Sequence, residues 1–587
     1  PASLSGPRAR RVRRDSMSSC ITSLTAAVAT ALQPLHAIAL PTGGQIVAGD
    51  VTTTINGAQM TLDQASRTAI MNWQSFNIAP NELVRILQSG TDAAMLARVT
   101  GGNPSELLGR LQADGKVFLI NPRGVLVGPG AMIDTAAFMA STLDVADADF
   151  LAQGALTFKG DSDAGIVNLG KITAHEGNVI LLAHTVKNDG ELAAPRGSVG
   201  LGAGSEVYLA SPNAPTFVIK ANLASAGSGV VGVHNEGVIT AAQAQLEAAG
   251  GSIYDLAVNQ SGVVHANGVE RRPDGRILIT ADSGNVSVSG TAIARDADGS
   301  GGEILVGGDY QGSNAAIANA SRTYVGANAS LDANASASIG DGGRIIVWGD
   351  EATAFLGSLE ARAGQQGGNG GFAEVSGKHS LAFHGTADLS APAGKRGELL
   401  LDPDNITIVA GETPLPDALT GVPYTWFEAD DPGDQTLGAD SLANLLANAS
   451  VTLNASDTLT VNAPVVVAAG GADSVRLSLY ASTLAINEDV SLANVTGGSL
   501  HLNHLGLGSG SSLTTAPGAT LAAEHIRIDG FPIVALNGPV SADRLTYASL
   551  GPVTSLIATH LNNTIRELTI VSDEADPQPV SFSGNVF

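Results

Sequence analysis

The chain has 587 residues, of which 44% are apolar but only 4% aromatic, with 71 glycines and a formal net charge of −25. So acidic a balance argues against a nucleic-acid binder or a protein held by charge on anionic lipid, and a charged fraction of only 14% argues against a disordered polyelectrolyte. A length beyond one compact core, a mostly small and aliphatic apolar set and abundant glycine together predict many short strands and tight turns in a repeat architecture.

Residues 1–39 read as a signal peptide. Arg8, Arg10, Arg11, Arg13 and Arg14 form its charged region, residues 21–35 (ITSLTAAVATALQPL) its apolar stretch, and Ala37-Ile38-Ala39 a small-x-small cleavage site before Leu40. With this leader and its one acid, Asp15, removed, the formal charge becomes −29. The sole cysteine, Cys20, also lies here, ahead of the apolar stretch rather than behind it, which argues against lipidation. A cysteine-free mature chain suits passage through an oxidising compartment while unfolded. No run of about 18 apolar residues follows, so no transmembrane helix is expected.

Residues 40–165 are irregular. Strands are predicted over 45–56 and 83–88 and a short helical turn over 105–111 (SELLGRL), and the segment is suited to cap a solenoid whose first strands would otherwise be open edges. An internal repeat then begins. Residues 168–183 (NLGKITAHEGNVILLA) and 188–203 (NDGELAAPRGSVGLGA) match at an offset of 20, and a third copy starts at Asn235. Apolar alternation at this period predicts an all-β, right-handed parallel β-helix with about 20 residues per rung and an N-terminal cap. Asn168 and Gly170, Asn188 and Gly190, and Asn235 and Gly237 are predicted to form its corners through their tolerance of positive φ. Residues 301–309 (GGEILVGGD) and 342–350 (GGRIIVWGD) echo each other farther on. Uninterrupted rungs would build a rod of roughly 120–130 Å. Prolines and acids between 402 and 434 mark a break, after which 441–460 and 475–490 resume strand-like alternation. The expected divisions are a leader at 1–39, a first domain at 40–270, a shaft at 271–408, a loop or boundary at 409–440 and a further β-helical segment at 441–587.

Five segments carry a family resemblance: 40–49 (LPTGGQIVAG), 72–78 (NWQSFNI), 99–107 (VTGGNPSEL), 115–130 (GKVFLINPRGVLVGPG) and 140–145 (ASTLDV). In this order they resemble the haemagglutination-activity (TPS) domain of two-partner-secretion exoproteins, the group that includes filamentous haemagglutinin, over roughly residues 40–210. The family signature Asn-Pro-Asn-Gly is matched by Asn121-Pro122-Arg123-Gly124-Val125, with arginine for the second asparagine; physically it is a turn, with Pro122 fixing φ and Gly124 permitting positive φ. Residues 370–377 (GGFAEVSG) and 397–408 (GELLLDPDNITI) resemble the shafts of high-molecular-weight adhesins and haem–haemopexin-binding exoproteins. The resemblance implies passage through the Sec machinery to the periplasm, recognition by POTRA-type periplasmic domains of an outer-membrane transporter, and a secreted or cell-surface location. It further implies binding to a host-cell or matrix receptor as an adhesin, or alternatively to a haem carrier. A stalk for a contact-dependent toxin and a β-helical polysaccharide lyase are the remaining alternatives.

The chain is not expected to be an enzyme. A lyase would need clustered acids and a base on one face, and the candidates Asp341, Arg344, Asp350 and Glu351 lie at glycine-flanked turns. Residues 296–303 (DADGSGGE) resemble a cation loop but also an acidic turn. No nucleophile arrangement and no metal-ligand spacing stands out, and no cofactor is implied.

Overall fold

The computed structural model describes residues 40–209, 219–222, 232–249, 256–270, 273–414, 435–467, 474–505, 511–549, 555–561, 565–572 and 581–582. The leader expected at 1–39, with Ala37 and Ala39, and the middle of the expected boundary at 409–440 lie outside them.

Inward-facing apolar residues at every second position draw the chain into a parallel β-helix with three faces. One turn shows the plan: Val179–Ala183 runs along the first face, Thr185–Asn188 along the second, and Glu191–Ala203 covers the third face before bending onto the first. Val179, Leu181 and Ala183 then lie opposite Val199, Leu201 and Ala203, and all six are fully buried. Each turn's backbone pairs with the turns on either side, so stability comes from neighbours rather than from a single core.

The repeat length is less uniform than the expected 20. Leu201 lies opposite Leu246, Ile304 opposite Ile345 and Leu399 opposite Val451. Among the described residues, eighteen strands stack on the first face from Thr68–Trp73 to Glu567–Ser572, which at about 4.8 Å per step is a column of roughly 80 Å. This is shorter than the roughly 120–130 Å of uninterrupted rungs, as insertions between turns require.

The N-terminal end is closed by strands running the other way. Gln45–Ala48 pairs antiparallel with Thr68–Trp73, and Val51–Asn56 antiparallel with Gln59–Gln64. The single strand expected over 45–56 is thus two, separated at Gly49, whose φ of +87° favours glycine. Beneath the cap, Trp73 and Phe76 meet edge to face at 5.6 Å and are buried.

Two further expectations fail. Residues 105–111 form no helical turn. Ser105–Leu107 and Arg110–Ala113 are strands, with Leu107 and Leu111 facing the core, and Gly109 bends between them where a Cβ would lie 2.1 Å from the Ala79 carbonyl oxygen. Conversely, 441–448 is helical, not strand. Helix α2 (Ala439–Asn448) buries Ala439, Leu442, Leu445 and Leu446, a helical rather than alternating spacing, before strand Ser450–Val461.

An outer layer covers part of the first face near its N-terminal end. Helix α1 (Asp147–Ala152) and the antiparallel strands Leu156–Lys159, Glu206–Leu209 and Ile219–Asn222 leave the coil at its corners. Phe150, Phe158 and Val207 pack on outward-facing Ile70, Leu96, Ile120, Met139, Ile180 and Leu182. Arg98 fastens the layer through Asp144 (2.9 Å), Asp147 (2.8 Å) and the Val145 carbonyl (2.9 Å).

The Asn-x-Gly positions are corners, but not through positive φ: none of Asn168, Gly170, Asn188, Gly190, Asn235 and Gly237 adopts it. The asparagines point inward and are fully buried. Asn168 Nδ2 donates to Asn188 Oδ1 (2.7 Å), Asn188 Nδ2 to Asn235 Oδ1 (2.7 Å) and Asn235 Nδ2 to Gln260 Oε1 (2.6 Å). The ladder ends with Gln260 Nε2 on the Gly262 carbonyl (2.9 Å). Glycine is required because a Cβ on Gly190 would sit 2.2 Å from the Gly170 carbonyl oxygen, and one on Gly237 2.1 Å from that of Gly190.

Candidate secretion-motif corner

Asn121-Pro122-Arg123-Gly124 turns the chain from strand Lys116–Ile120 on the first face to Val125–Val127 on the second. The Gly124 N–H donates to the Asn121 carbonyl at 3.0 Å, closing a β-turn. Gly124 has φ +108°. Pro122 supplies the fixed φ at the turn's second position.

Asn121 is fully buried and uses every polar atom of its side chain's reach into the corner. Its Nδ2 donates to the Asn103 carbonyl (3.1 Å) and Ser105 Oγ (3.0 Å), while its Oδ1 accepts from the Arg123 N–H (2.9 Å). Its N–H donates to the Ser141 carbonyl of the following turn (2.9 Å), and the Pro122 carbonyl accepts from Ser162 Oγ (2.6 Å). Val125 is buried, whereas Pro122 and Arg123 are exposed. Among the described residues the Arg123 side chain makes no ion pair or hydrogen bond. The motif thus separates into an asparagine that ties adjacent turns together and a Pro-Arg tip displayed to solvent.

The segments quoted for the resemblance converge on this corner. Thr42 exchanges backbone hydrogen bonds with Gln74 and Ser75. Gly43 takes φ +66°, and a Cβ on Gly44 would meet the Trp73 ring at 2.7 Å. One turn on, a Cβ on Gly101 would lie 2.0 Å from the Gln74 carbonyl oxygen, and Asn77 Oδ1 accepts from the Glu106 N–H (2.9 Å). Asn103, Ser105 and Asn121 follow, then Ser141, whose Oγ donates to the Leu143 carbonyl (2.7 Å). Motifs separated along the chain are consecutive layers of one edge. Leu40, the residue after the expected cleavage site, is buried in the same core.

Replacing Asn121 with alanine strands three partners in a buried corner and is expected to cost about 2 kcal/mol. Arg123→Asn, at an exposed tip, is expected to stay within about 0.5 kcal/mol of the parent. Urea unfolding of the two variants followed by circular dichroism checks both; an Arg123→Asn cost equal to that of Asn121→Ala would contradict the assigned roles.

Of the four residues considered for catalysis, two share a groove and two lie outside it. Asp341 and Arg344 line a groove on the shaft. Asp350 instead accepts from Trp348 Nε1 (2.8 Å) and Asn319 Nδ2 (3.0 Å), and Glu351 pairs with Arg322 (2.9 Å). In the acidic turn, Asp296 accepts from the Gly275 N–H (2.9 Å), Asp298 from the Ser300 N–H (2.8 Å), and Glu303 pairs with Arg276 and Arg344 (2.7 and 2.6 Å).

The profile of the TPS secretion domain matches residues 37–294. A heme/hemopexin-binding protein of Haemophilus influenzae (strain ATCC 51907 / DSM 11121 / KW20 / Rd) is 33% identical over 227 residues, covering 36% of this chain and 24% of that protein. A second heme/hemopexin-binding protein of Haemophilus influenzae is 41% identical over 87 residues, covering 15% of this chain and 9% of its own length. The chain therefore spans a quarter or less of these relatives. Of solved structures, the HMW1 secretion domain of Haemophilus influenzae matches at 29% identity and a TM-score of 0.46, covering 62% of this chain and 100% of its own. The filamentous hemagglutinin secretion domain matches at 15% identity and a TM-score of 0.31, covering 61% and 99%. Residues 37–294 of this chain thus match a TPS secretion domain.

Proposed function

We propose that the chain is a non-enzymatic exoprotein of a Gram-negative cell, exported by two-partner secretion to the surface or the medium. In this reading a leader at 1–39 directs it through the Sec machinery and is cleaved before Leu40. Residues 40–270 are then met in the periplasm by the POTRA-type domains of an outer-membrane transporter, and 271–408 and 441–587 form the shaft. The observation that carries the reading is the single motif edge inside the matched span, which combines a buried, turn-tying Asn121 with an exposed Pro122-Arg123 tip. The chain crosses the membrane unfolded. Each completed turn then templates the next, so folding outside favours onward movement.

After export, the shaft is a stiff column presenting side chains on three faces, which suits an adhesin holding a host-cell or matrix receptor. The identity with heme/hemopexin-binding relatives supports a second reading, capture of a haem carrier. Purified chain applied to cultured epithelial cells and to immobilised haemopexin separates the two. Saturable cell binding without haemopexin supports adhesion, haemopexin retention supports the carrier reading, and failure of both contradicts each.

A further inference from the structure

A groove of about 770 Å³ runs along the shaft where the third face meets the first, within the usual range of about 300–1,000 Å³ for ligand sites. One wall is a register column, one residue per turn: Gln243, Arg276, Glu303, Arg344, Phe372 and Glu398. It extends over five steps, or roughly 24 Å. Asp274, Asp341 and Asn369 also line the groove. The floor is glycine: a Cβ on Gly302, Gly343, Gly371 or Gly397 would lie 2.0–2.1 Å from the carbonyl oxygen of the glycine one turn before.

We propose that this groove binds an uncharged, extended oligosaccharide. The floor offers no free strand edge to a peptide, because Glu303, Arg344, Phe372 and Glu398 already donate their N–H groups to the Gly275, Gly302, Gly343 and Gly371 carbonyls (2.8–3.1 Å). Recognition therefore falls to side chains, which recur at the step between turns and so match a polymer of repeating units. Phe372, half-buried and packed against Tyr310 at 5.9 Å, gives a ring for the C–H face of a sugar. Carboxylates and the Asn369 amide offer partners to hydroxyl groups.

The charge balance decides against an anionic glycan. Five carboxylates line the groove against three guanidinium groups, and each of the three is engaged. Arg276 and Arg344 hold Glu303, Arg344 also holds Asp309 (2.6 Å), and Arg396 donates to the Leu446 and Ala447 carbonyls (3.1 and 2.5 Å). Burial, with Asp274, Asp298 and Glu303 nearby, pushes the Asp296 carboxyl up to about 6, as a negative local field would.

This gives the adhesion reading a ligand class and rests on it only for biological setting. The test is an array of neutral, sialylated and sulfated oligosaccharides probed with the whole chain, followed by titration calorimetry with the neutral hexasaccharides retained. Saturable binding of neutral chains is expected, weakened about tenfold in Phe372→Ala and also weakened in Asp341→Asn, which keeps an acceptor for the Asn369 N–H (2.6 Å) and is checked for an intact fold by circular dichroism. Binding of charged glycans alone, binding of none, or neutral binding unchanged in both variants would overturn the proposal. Cell attachment without glycan binding would overturn the groove and leave adhesion standing.

Discussion

Replacing Asn188 with leucine is expected to destabilise the shaft by about 4 kcal/mol. The side chain is fully buried, accepts from Asn168 Nδ2 and donates to Asn235 Oδ1. Leucine is close in size, so the loss is one of hydrogen bonding more than of volume. It strands a donor on one side and an acceptor on the other, each costing about 1–3 kcal/mol when buried without a partner. Its members are fully buried, out of reach of bulk solvent. Urea unfolding checks the magnitude. Hydrogen exchange checks the location, with lost protection expected at the corners around 168–170 and 235–237. A variant as stable as the parent would show that the ladder contributes nothing net.

Glutamate 374 should make the shaft less stable as pH rises. It is fully buried on the outward side of the first face, and both carboxylate oxygens accept from the Gln311 N–H (3.2 Å each). Gln311 Nε2 reaches Asp402 Oδ2 (3.1 Å), so one loop residue holds two carboxyl groups on adjacent turns. Gln311 does so with a φ of +51°. Burial, with the Asp402 charge, pushes the Glu374 carboxyl from 4.5 up to about 7, against the Gln311 N–H and Arg344, and Asp402 rises to about 6. The folded chain keeps these protons over a range where the unfolded chain has released them. The contribution is fully present below about pH 4.5 and lost as pH rises through 7. For Glu374 the loss amounts to about 3 kcal/mol. Glu374→Gln, which can still accept from Gln311, is expected to match the parent near pH 4.5 and exceed it above pH 7, with a shallower residual slope from Asp402. Urea midpoints at pH 4.5, 6 and 8 check this. A parent profile flat across that range would contradict it.

The alternation in 168–203 made the β-helix legible, because the two-residue side-chain period is written directly into the sequence. The recurring asparagines were visible but their role was not. A turn-forming asparagine and an inward, ladder-forming one are the same letter, and only the register of Asn168, Asn188 and Asn235 distinguishes them. Gln260, which continues the ladder, gave no repeat signal. The outer layer did leave a trace: Val179-Ile180-Leu181-Leu182-Ala183 is apolar without alternation, as a strand covered on both sides must be. The order of the five motif segments pointed to the secretion domain, but not to their shared edge, which needs the turn lengths between them. Neither the groove nor the Glu374–Gln311–Asp402 contact was readable. Their residues come together across turns of unequal length, and unequal turns erase the period that would align them.

The most direct test of the account is secretion of this chain, residues 1–587, by a Gram-negative host with and without its cognate outer-membrane transporter. The account predicts transporter-dependent appearance in the medium, lost in Asn121→Ala and in Gly124→Val. Release without the transporter, or retention in its presence, would contradict export by two-partner secretion.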